Sequence, residues 1–445
     1  MKTPICDFVE KYAREGSLRL HMPGHKGVPI LGIEDRDITE IDGADVLYNS
    51  SGVIAESEKN ASLLFGSAKT LYSTEGSSLC IRAMVYLASI YARAQGRRSL
   101  ILAARNAHKA FISAVALVDA EVEWLYGEAD GLISCRVTAS EIEKRLCESE
   151  ELPAAVYLTS PDYLGVVSDI GEISKVCEKY GVLLLADNAH GAYLKFLSES
   201  RHPLDLGADI CCDSAHKTLP VITGGAYLHL SKSAPSLTVD MAEQAMALFA
   251  STSPSYLIMQ SLDMANRYLS EGYEKKLADA AMSVDALKKR LAESGFSLIG
   301  DEAMKICLEA KKCGYFGFEI AGYLKEKNII CEFYDRDYLV MMFTPEIGEN
   351  GIKLVGDVLA ALPKKTAIDE KPPLIGKAER AMSIREAIMS PSVELDAKEA
   401  VGRVLYSANV SCPPAIPIVV CGEIIDERSV ELFEYYGIEK CRVVE

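Results

Sequence analysis

Seven histidines are spread through 445 residues, and three of them stand directly before a lysine: His25-Lys26, His108-Lys109 and His216-Lys217. A lysine amine attacks carbonyl carbon once its surroundings remove the proton, so each pair is a candidate for covalent chemistry. Other reactive groups gather near two of these pairs: Ser73-Thr74-Glu75-Gly76-Ser77-Ser78, Arg105-Asn106-Ala107-His108, Asp187-Asn188-Ala189-His190 and Ser214-Ala215-His216-Lys217. Gly76-Ser77-Ser78 opens a helical pattern and offers backbone N–H groups, two hydroxyls and the positive end of a helix dipole, a seat for phosphate. Lys217-Thr218 is not a P-loop tail, because no G-x-x-x-x-G-K-[ST] precedes it, and no strand leads into G-x-G-x-x-G. Pyridoxal phosphate (PLP) fits this set better. It needs an amine for a Schiff base, a carboxylate for its pyridine nitrogen, a phosphate seat and a group to cover its ring. Lys217, Asp187, Ser77 and Ser78 with Ser214 and His216, and His108 match these needs in turn. Singly each has a plainer reading: Asp187 as a turn residue, Gly-Ser-Ser as a helix cap, Lys217 as a solvated amine.

These groups need strands and helices to bring them together. Four short apolar runs, 99–104, 154–160, 182–187 and 208–214, lack alternation and end on polar residues, as strands buried on both faces do. Amphipathic stretches at 77–96 and 169–181 lie among them. Alternation of this kind predicts an α/β fold with a mostly parallel sheet, whose ligands sit beyond the carboxyl ends of the strands. One helix-free connection and one strand are expected between Asp187 and Lys217. From about 270 the pattern changes to a long helix at 272–295, a strand at 296–300, a helix near 316–328 and a strand pair at 329–335 and 338–345. The expected organisation is an N-terminal arm and mouth loop (1–50), a cofactor-binding large domain (51–270) and a small α+β domain (271–362). A charged, proline-bearing linker (363–377) and a short C-terminal domain (378–445) follow.

Composition narrows the class. A net charge of −17 argues against a nucleic-acid surface and suits a cationic small-molecule substrate. Thirteen cysteines, odd in number and set in apolar runs, read as thiols of a reducing cytoplasm rather than a disulfide framework. The N-terminal stretch has no apolar signal region and no run reaches the ~18 apolar residues of a membrane span. No metal is expected: there is no C-x-x-C, and Pro23-Gly24 breaks any helix that would align His21 with His25.

The combination resembles the Orn/Lys/Arg decarboxylase family of fold-type I PLP enzymes. HMPGHKG, YSTEGSS, RNAHKAF, TSPDYLGVVSDI, DNAHGA, DSAHKTLP and TSPSY occur in that family's order, and SAHKTLP is the most specific of them. The resemblance implies Lys217 as the Schiff-base lysine, Asp187 on the ring nitrogen and His108 stacked on the ring. It also implies Ser77, Ser78, Ser214 and His216 at the phosphate, His190 nearby, and Thr252 reaching in from a partner subunit of a homodimer or larger homo-oligomer. The implied reaction is decarboxylation of lysine, arginine or ornithine to a diamine or agmatine, with Lys217 or His216 returning a proton. Glu332, Asp335 and Glu423 are offered for the substrate's distal cation, and the loop at His25-Lys26 for the active-site mouth or a subunit contact.

The chain departs from the family pattern at three places. Asn188 stands where Glu is frequent, Gly224-Gly225 where a polar residue is common, and residues 411–425 match the family's Pro-Pro-Gly-Ile-Pro and Pro-Gly-Glu pattern only loosely. This drift on the substrate side motivates two other readings: a PLP-dependent aminotransferase or lyase acting on another amino acid, and a catalytically silent PLP-binding paralogue.

Overall fold

The computed structural model describes residues 1–127, 134–373, 376–407, 411–412 and 416–445. After helices α1 (Pro4–Glu15) and α2 (Val53–Phe65), strands and helices alternate. They are β1 (Lys69–Ser73), α3 (Ser77–Ala94), β2 (Leu100–Ala104), α4 (Lys109–Val118), β3 (Glu121–Leu125), α5 (Ala139–Glu148), β4 (Ala155–Thr159), α6 (Ile170–Tyr180) and β5 (Leu183–Asp187). Then come β6 (Ile210–Asp213), the single turn α7 (Ala215–Thr218), β7 (Ala226–Leu230), α8 (Ser236–Phe249), α9 (Tyr256–Ser270) and α10 (Tyr273–Glu293). The four apolar runs predicted as buried strands are β2, β4, β5 and β6, and every residue of β5 and β6 is buried.

One sheet takes the order β1-β7-β6-β5-β4-β2-β3. β5 and β6 run parallel, whereas β7 opposes both β6 and β1, so β1, β5 and β6 share a direction. Asp187 and Asp213 therefore end neighbouring parallel strands on one edge, the placement that strand-end chemistry requires. The connection between Asp187 and Lys217 is not helix-free: it carries a 3₁₀ turn at Ala192–Phe196.

The chain forms two compact units: Met1–Ile101 with Arg145–Leu158 and Ile170–Glu274, and Leu102–Lys144 with Thr159–Asp169 and Lys275–Glu445. The first holds the ends of β5 and β6. The second contains a four-stranded sheet of order β10-β11-β9-β8. Its strands are β8 (Leu298–Ile299), β9 (Lys305–Glu309), β10 (Phe333–Tyr334) and β11 (Tyr338–Met342), with helices α11 (Gly317–Lys325) and α12 (Gly348–Ala360). Beyond it lie α13 (Ile384–Met389), β12 (Ser392–Asp396), β13 (Ser411–Cys412), β14 (Ile416–Pro417), α14 (Glu427–Tyr435) and β15 (Lys440–Val444). Val340 and Cys307 of the small sheet share a core with Leu405, Ile425, Phe433 and Val443.

The stretch 363–377, expected as a linker, is irregular but fastened along its described length. Tyr315 donates to Pro363 O at 2.5 Å, Ile368 N to Lys311 O at 2.9 Å, and Glu370 receives Arg336 at 2.9 Å. The Lys365 ammonium lies 3.9 Å from the centre of the Tyr315 ring. Residues 374–375 of this stretch, 408–410, and Pro413-Pro414-Ala415 of the proline-rich segment lie outside the described residues.

Candidate active site

The first unit brings together most of the residues singled out by the sequence. Lys217 occupies the third position of α7, and its Nζ lies 3.0 Å from Nε2 of the buried His190. Ser214, one residue beyond β6, donates from Oγ to Oγ of Ser77 at 2.8 Å and so ties the start of α3 to the end of β6. Helix α3 begins on Gly76 with no side-chain cap and no acidic residue in its first turn, so its N–H groups and dipole are not neutralised locally. Ser78 lies half-buried in that turn.

The loop before β7 braces both parts of this arrangement. Gly224 O accepts Gly76 N at 2.7 Å, and Gly225 O accepts His216 N at 3.1 Å and His216 Nδ1 at 2.9 Å. These contacts give the Gly-Gly departure its reason. Gly224 has φ +98° with Thr74 O only 3.0 Å from where a Cβ would stand, and a Cβ on Gly225 would lie 2.3 Å from Val221 Cγ1. A larger residue would push the start of α3 and the His216 turn away from this loop. Burial keeps the His216 pKa below its ordinary value, which favours the neutral ring, and the Gly225 carbonyl selects the tautomer with the proton on Nδ1.

Asp187 is 2% exposed. Its Oδ1 accepts Ala189 N at 3.2 Å and its Oδ2 accepts the Tyr157 hydroxyl at 3.1 Å. Asn188 is buried completely and donates to Asp213 Oδ1 at 2.7 Å. Asp213 Oδ2 also faces Nε2 of His202 at 3.1 Å and of His229 at 3.2 Å. Burial opposes charge on Asp213, but the two rings hold its carboxyl well below the usual carboxylate range. A glutamate at 188 would set a second carboxylate against it; an amide supplies a donor. The Nδ1 of His229 continues the chain to Thr70 at 2.8 Å and Thr70 to Ser67 at 2.7 Å. His202, Cys211 and Asp213 have metal-ligand chemistry within 4.8 Å, yet the Asp213 carboxylate and the His202 ring are already engaged in these hydrogen bonds.

Thr252 lies on an exposed bend between α8 and α9, where Ser251 N donates to Glu75 Oε1 at 2.7 Å. His108 belongs to the second unit and caps α4 there, accepting Ala110 N at Nδ1 over 3.1 Å, which leaves the Nε2–H tautomer. The three carboxylates proposed for substrate are also in that unit. Glu423 is buried, accepts Val420 N at 2.7 Å and stands 3.7 Å from Arg105. Asp335 accepts Asp337 N and Tyr338 N, both at 2.7 Å, and burial pushes its carboxyl up to about 6. Glu332 is exposed and accepts the Tyr163 hydroxyl at 3.1 Å.

Sequence reasoning missed Tyr157 and Asp213, and it grouped Arg105 with the reactive residues without giving it a role. Tyr157 carried a signal: a phenol inside an otherwise apolar strand must find a partner. Asp213 carried another, as the acid immediately before Ser214. Arg105 carried less, because a guanidinium after a strand is ordinarily solvated; here it reaches Pro417 O at 2.7 Å and Ile418 O at 3.0 Å.

The residues present fit PLP: an amine, a buried strand-end carboxylate, and an uncapped helix start joined to a serine hydroxyl. Residues 3–304 match the sequence model of the Orn/Lys/Arg decarboxylase major domain. The chain belongs to the Orn/Lys/Arg decarboxylase family. It is a PLP-dependent amino-acid decarboxylase of fold type I, as the sequence resemblance implied. This decarboxylase is 31% identical to the uncharacterised protein YaaO of Bacillus subtilis, over 97% of its own length and 93% of the relative's. It is 26% identical to an arginine decarboxylase of Bacillus subtilis, over 96% of its length and 92% of the relative's. Its fold is similar to that of the Francisella novicida lysine decarboxylase, with a TM-score of 0.80 at 16% identity, covering 100% of this chain and 81% of that one. No helix among the described residues is long and apolar enough to cross a membrane.

Proposed function

We propose that this decarboxylase acts on a basic amino acid, lysine, arginine or ornithine, with Lys217 as the amine that carries the cofactor. The observation behind this reading is the Lys217–His190 pair at 3.0 Å in the same unit as Asp187 and the Ser77–Ser214 contact. Bound PLP supplies an electron sink for the pair released when the carboxylate leaves. Asp187 keeps the ring nitrogen protonated. His190, at hydrogen-bond distance from Lys217 Nζ, holds the amine in place beside the cofactor. Ser77, Ser78 and Ser214 supply hydroxyls to the phosphate, and the N–H groups of α3 supply the dipole end. His216 donates to the phosphate from Nε2 in its imidazolium form, which the phosphate charge itself favours. Lys217 or His216 returns the proton to Cα. His108 covers the ring, and Thr252 completes the site of a partner subunit. Glu332, Asp335 and Glu423 remain the carboxylates proposed for the distal cation, and Glu332 alone of the three is exposed. The similarity to arginine decarboxylases across 96% of the chain supports a basic substrate.

The test is an assay of the PLP-loaded protein on lysine, arginine and ornithine, measuring CO2 and the amine formed. The expected result is CO2 with an equimolar diamine or agmatine from one of the three. Transfer of the amino group to a keto acid, with no CO2, would sink the proposal. Lys217→Ala is expected to lose the visible absorbance of the bound cofactor, and borohydride to abolish it in the wild type.

A further inference from the structure

The Asp187 carboxylate meets different donors on its two oxygens. Oδ1 accepts Ala189 N and faces Cys212 Sγ at 3.7 Å, while Oδ2 accepts the Tyr157 hydroxyl at 3.1 Å. The two side chains come from the strands on either side of β5, Tyr157 from β4 and Cys212 from β6. Tyr157 and Cys212 are both fully buried. Burial first, and the charge on Asp187 second, hold the phenol pKa well above its ordinary value, so Tyr157 remains a donor at every working pH. The same two causes keep the Cys212 thiol protonated.

A hydrogen bond to a carboxylate does two things. It favours the charged form, which lowers the basicity of the oxygens, and it fixes the plane of the group. A carboxylate has about four lone-pair directions, and one on each oxygen is taken by a well-placed N–H or O–H, so others stay available for a ligand. A thiol at 3.7 Å is a weak donor, and Ala189 N is part of the turn itself. Tyr157 is therefore the strong side-chain donor that this carboxylate has, and it comes from a rigid, buried strand.

We propose that Tyr157 is a positioning residue for the cofactor: its hydroxyl fixes the plane of Asp187 and sets how strongly that carboxylate holds the proton of the ring nitrogen. This rests on the assignment of Asp187 to the ring nitrogen made above. Tyr157→Phe keeps the ring and its packing and removes only the hydroxyl.

The experiment compares full-length wild type, Tyr157→Phe and Asp187→Ala, each depleted of PLP and titrated with it. PLP affinity, the position and circular dichroism of the visible band, and the melting temperature of the depleted protein are all measured. Tyr157→Phe is expected to bind PLP about tenfold more weakly, the loss that follows from one hydrogen bond to a charged group, and to shift the band. Its depleted form is expected to melt with the wild type. An unchanged affinity and band overturn the proposal, and so does a change in melting alone. If Asp187→Ala binds PLP as the wild type does, the assignment of Asp187 falls and the Tyr157 role falls with it. If Asp187→Ala binds weakly while Tyr157→Phe matches the wild type, only the Tyr157 role falls. Should the phenylalanine variant fail to fold, a fluorinated tyrosine at 157, a stronger donor of nearly the same shape, is expected to move the band in the opposite direction, and no movement overturns the proposal.

Discussion

Buried charges set the residue-level behaviour of this enzyme. Glu58 on α2 is 6% exposed, and burial pushes its carboxyl up to about 8 even though it accepts Tyr72 N at 2.9 Å. The folded state thus prefers the protonated acid. Its contribution to stability is complete below the unfolded value near 4.5 and is lost as pH rises through about 8. Glu58→Gln keeps the acceptor and removes the titration. In urea unfolding, the wild type is expected to lose more stability between about pH 5 and about pH 9 than the variant, with a slope of at most about 1.4 kcal/mol per pH unit for one group. Asp213 behaves in the opposite sense, because its three donors stabilise the charged form. Asp213→Ala strands the Asn188 amide donor and the Nε2 donors of His202 and His229, and is expected to cost at least about 2 kcal/mol, read as a fall in melting temperature. Asp213 left a mark in the sequence only as the acid before Ser214, and Glu58 left none. Glu58 sits in an ordinary amphipathic pattern, and the partners of Asp213 lie on other elements.

Elements explain why the site was easier to read than its supports. β2, β4, β5 and β6 were legible because strands buried on both faces need continuous apolar runs, and the reactive groups were legible because they follow such runs. The antiparallel course of β7 was not, since an apolar strand has the same composition in either direction. The Gly224-Gly225 turn was visible only as a departure, because its cause is the nearness of Thr74 O and Val221, which no local pattern records. Gly225→Val is expected to weaken PLP binding more than tenfold and to lower the melting temperature, measured on the depleted and loaded protein. The second unit has its own concealed support. Arg105 and Glu423 are each 5% exposed, and Arg105 binds two carbonyls of the segment that carries Glu423. Removing one partner of such a pair leaves a buried charge, so Glu423→Gln is expected to cost about 3 kcal/mol. Arg105→Met combined with Glu423→Met should recover part of that loss, and a double-mutant cycle on urea midpoints measures how much.

On the scale of the whole molecule, the N-terminal arm is ordered yet wears its apolar side outward. Glu34 gathers N–H groups of Ile30, Gly32 and Ile33, and Arg19 binds the carbonyls of Glu34 and Asp35. Leu18, Leu20 and Leu31 meanwhile are each more than four-fifths exposed. Apolar side chains left in water are costly in a lone subunit, and the sequence resemblance implies a homo-oligomer that could cover them. Sedimentation velocity is expected to find a dimer or larger assembly, and Leu20→Asp with Leu31→Asp to shift it toward the monomer.

The pairing of β7 with β1 has a temporal side. The hydrogen bond from Gly76 N to Gly224 O joins residues 148 positions apart (224 − 76), and the register Lys69 to Leu230 spans still more chain. Contacts this distant form late, after the loop between them has closed. During synthesis the start of α3 leaves the ribosome long before the loop that braces it, so in a nascent chain the proposed phosphate seat is unbraced until that loop and β7 have emerged. Cofactor loading is then expected to follow the synthesis of β7, and a chain stalled in the middle of the sheet to leave no colour.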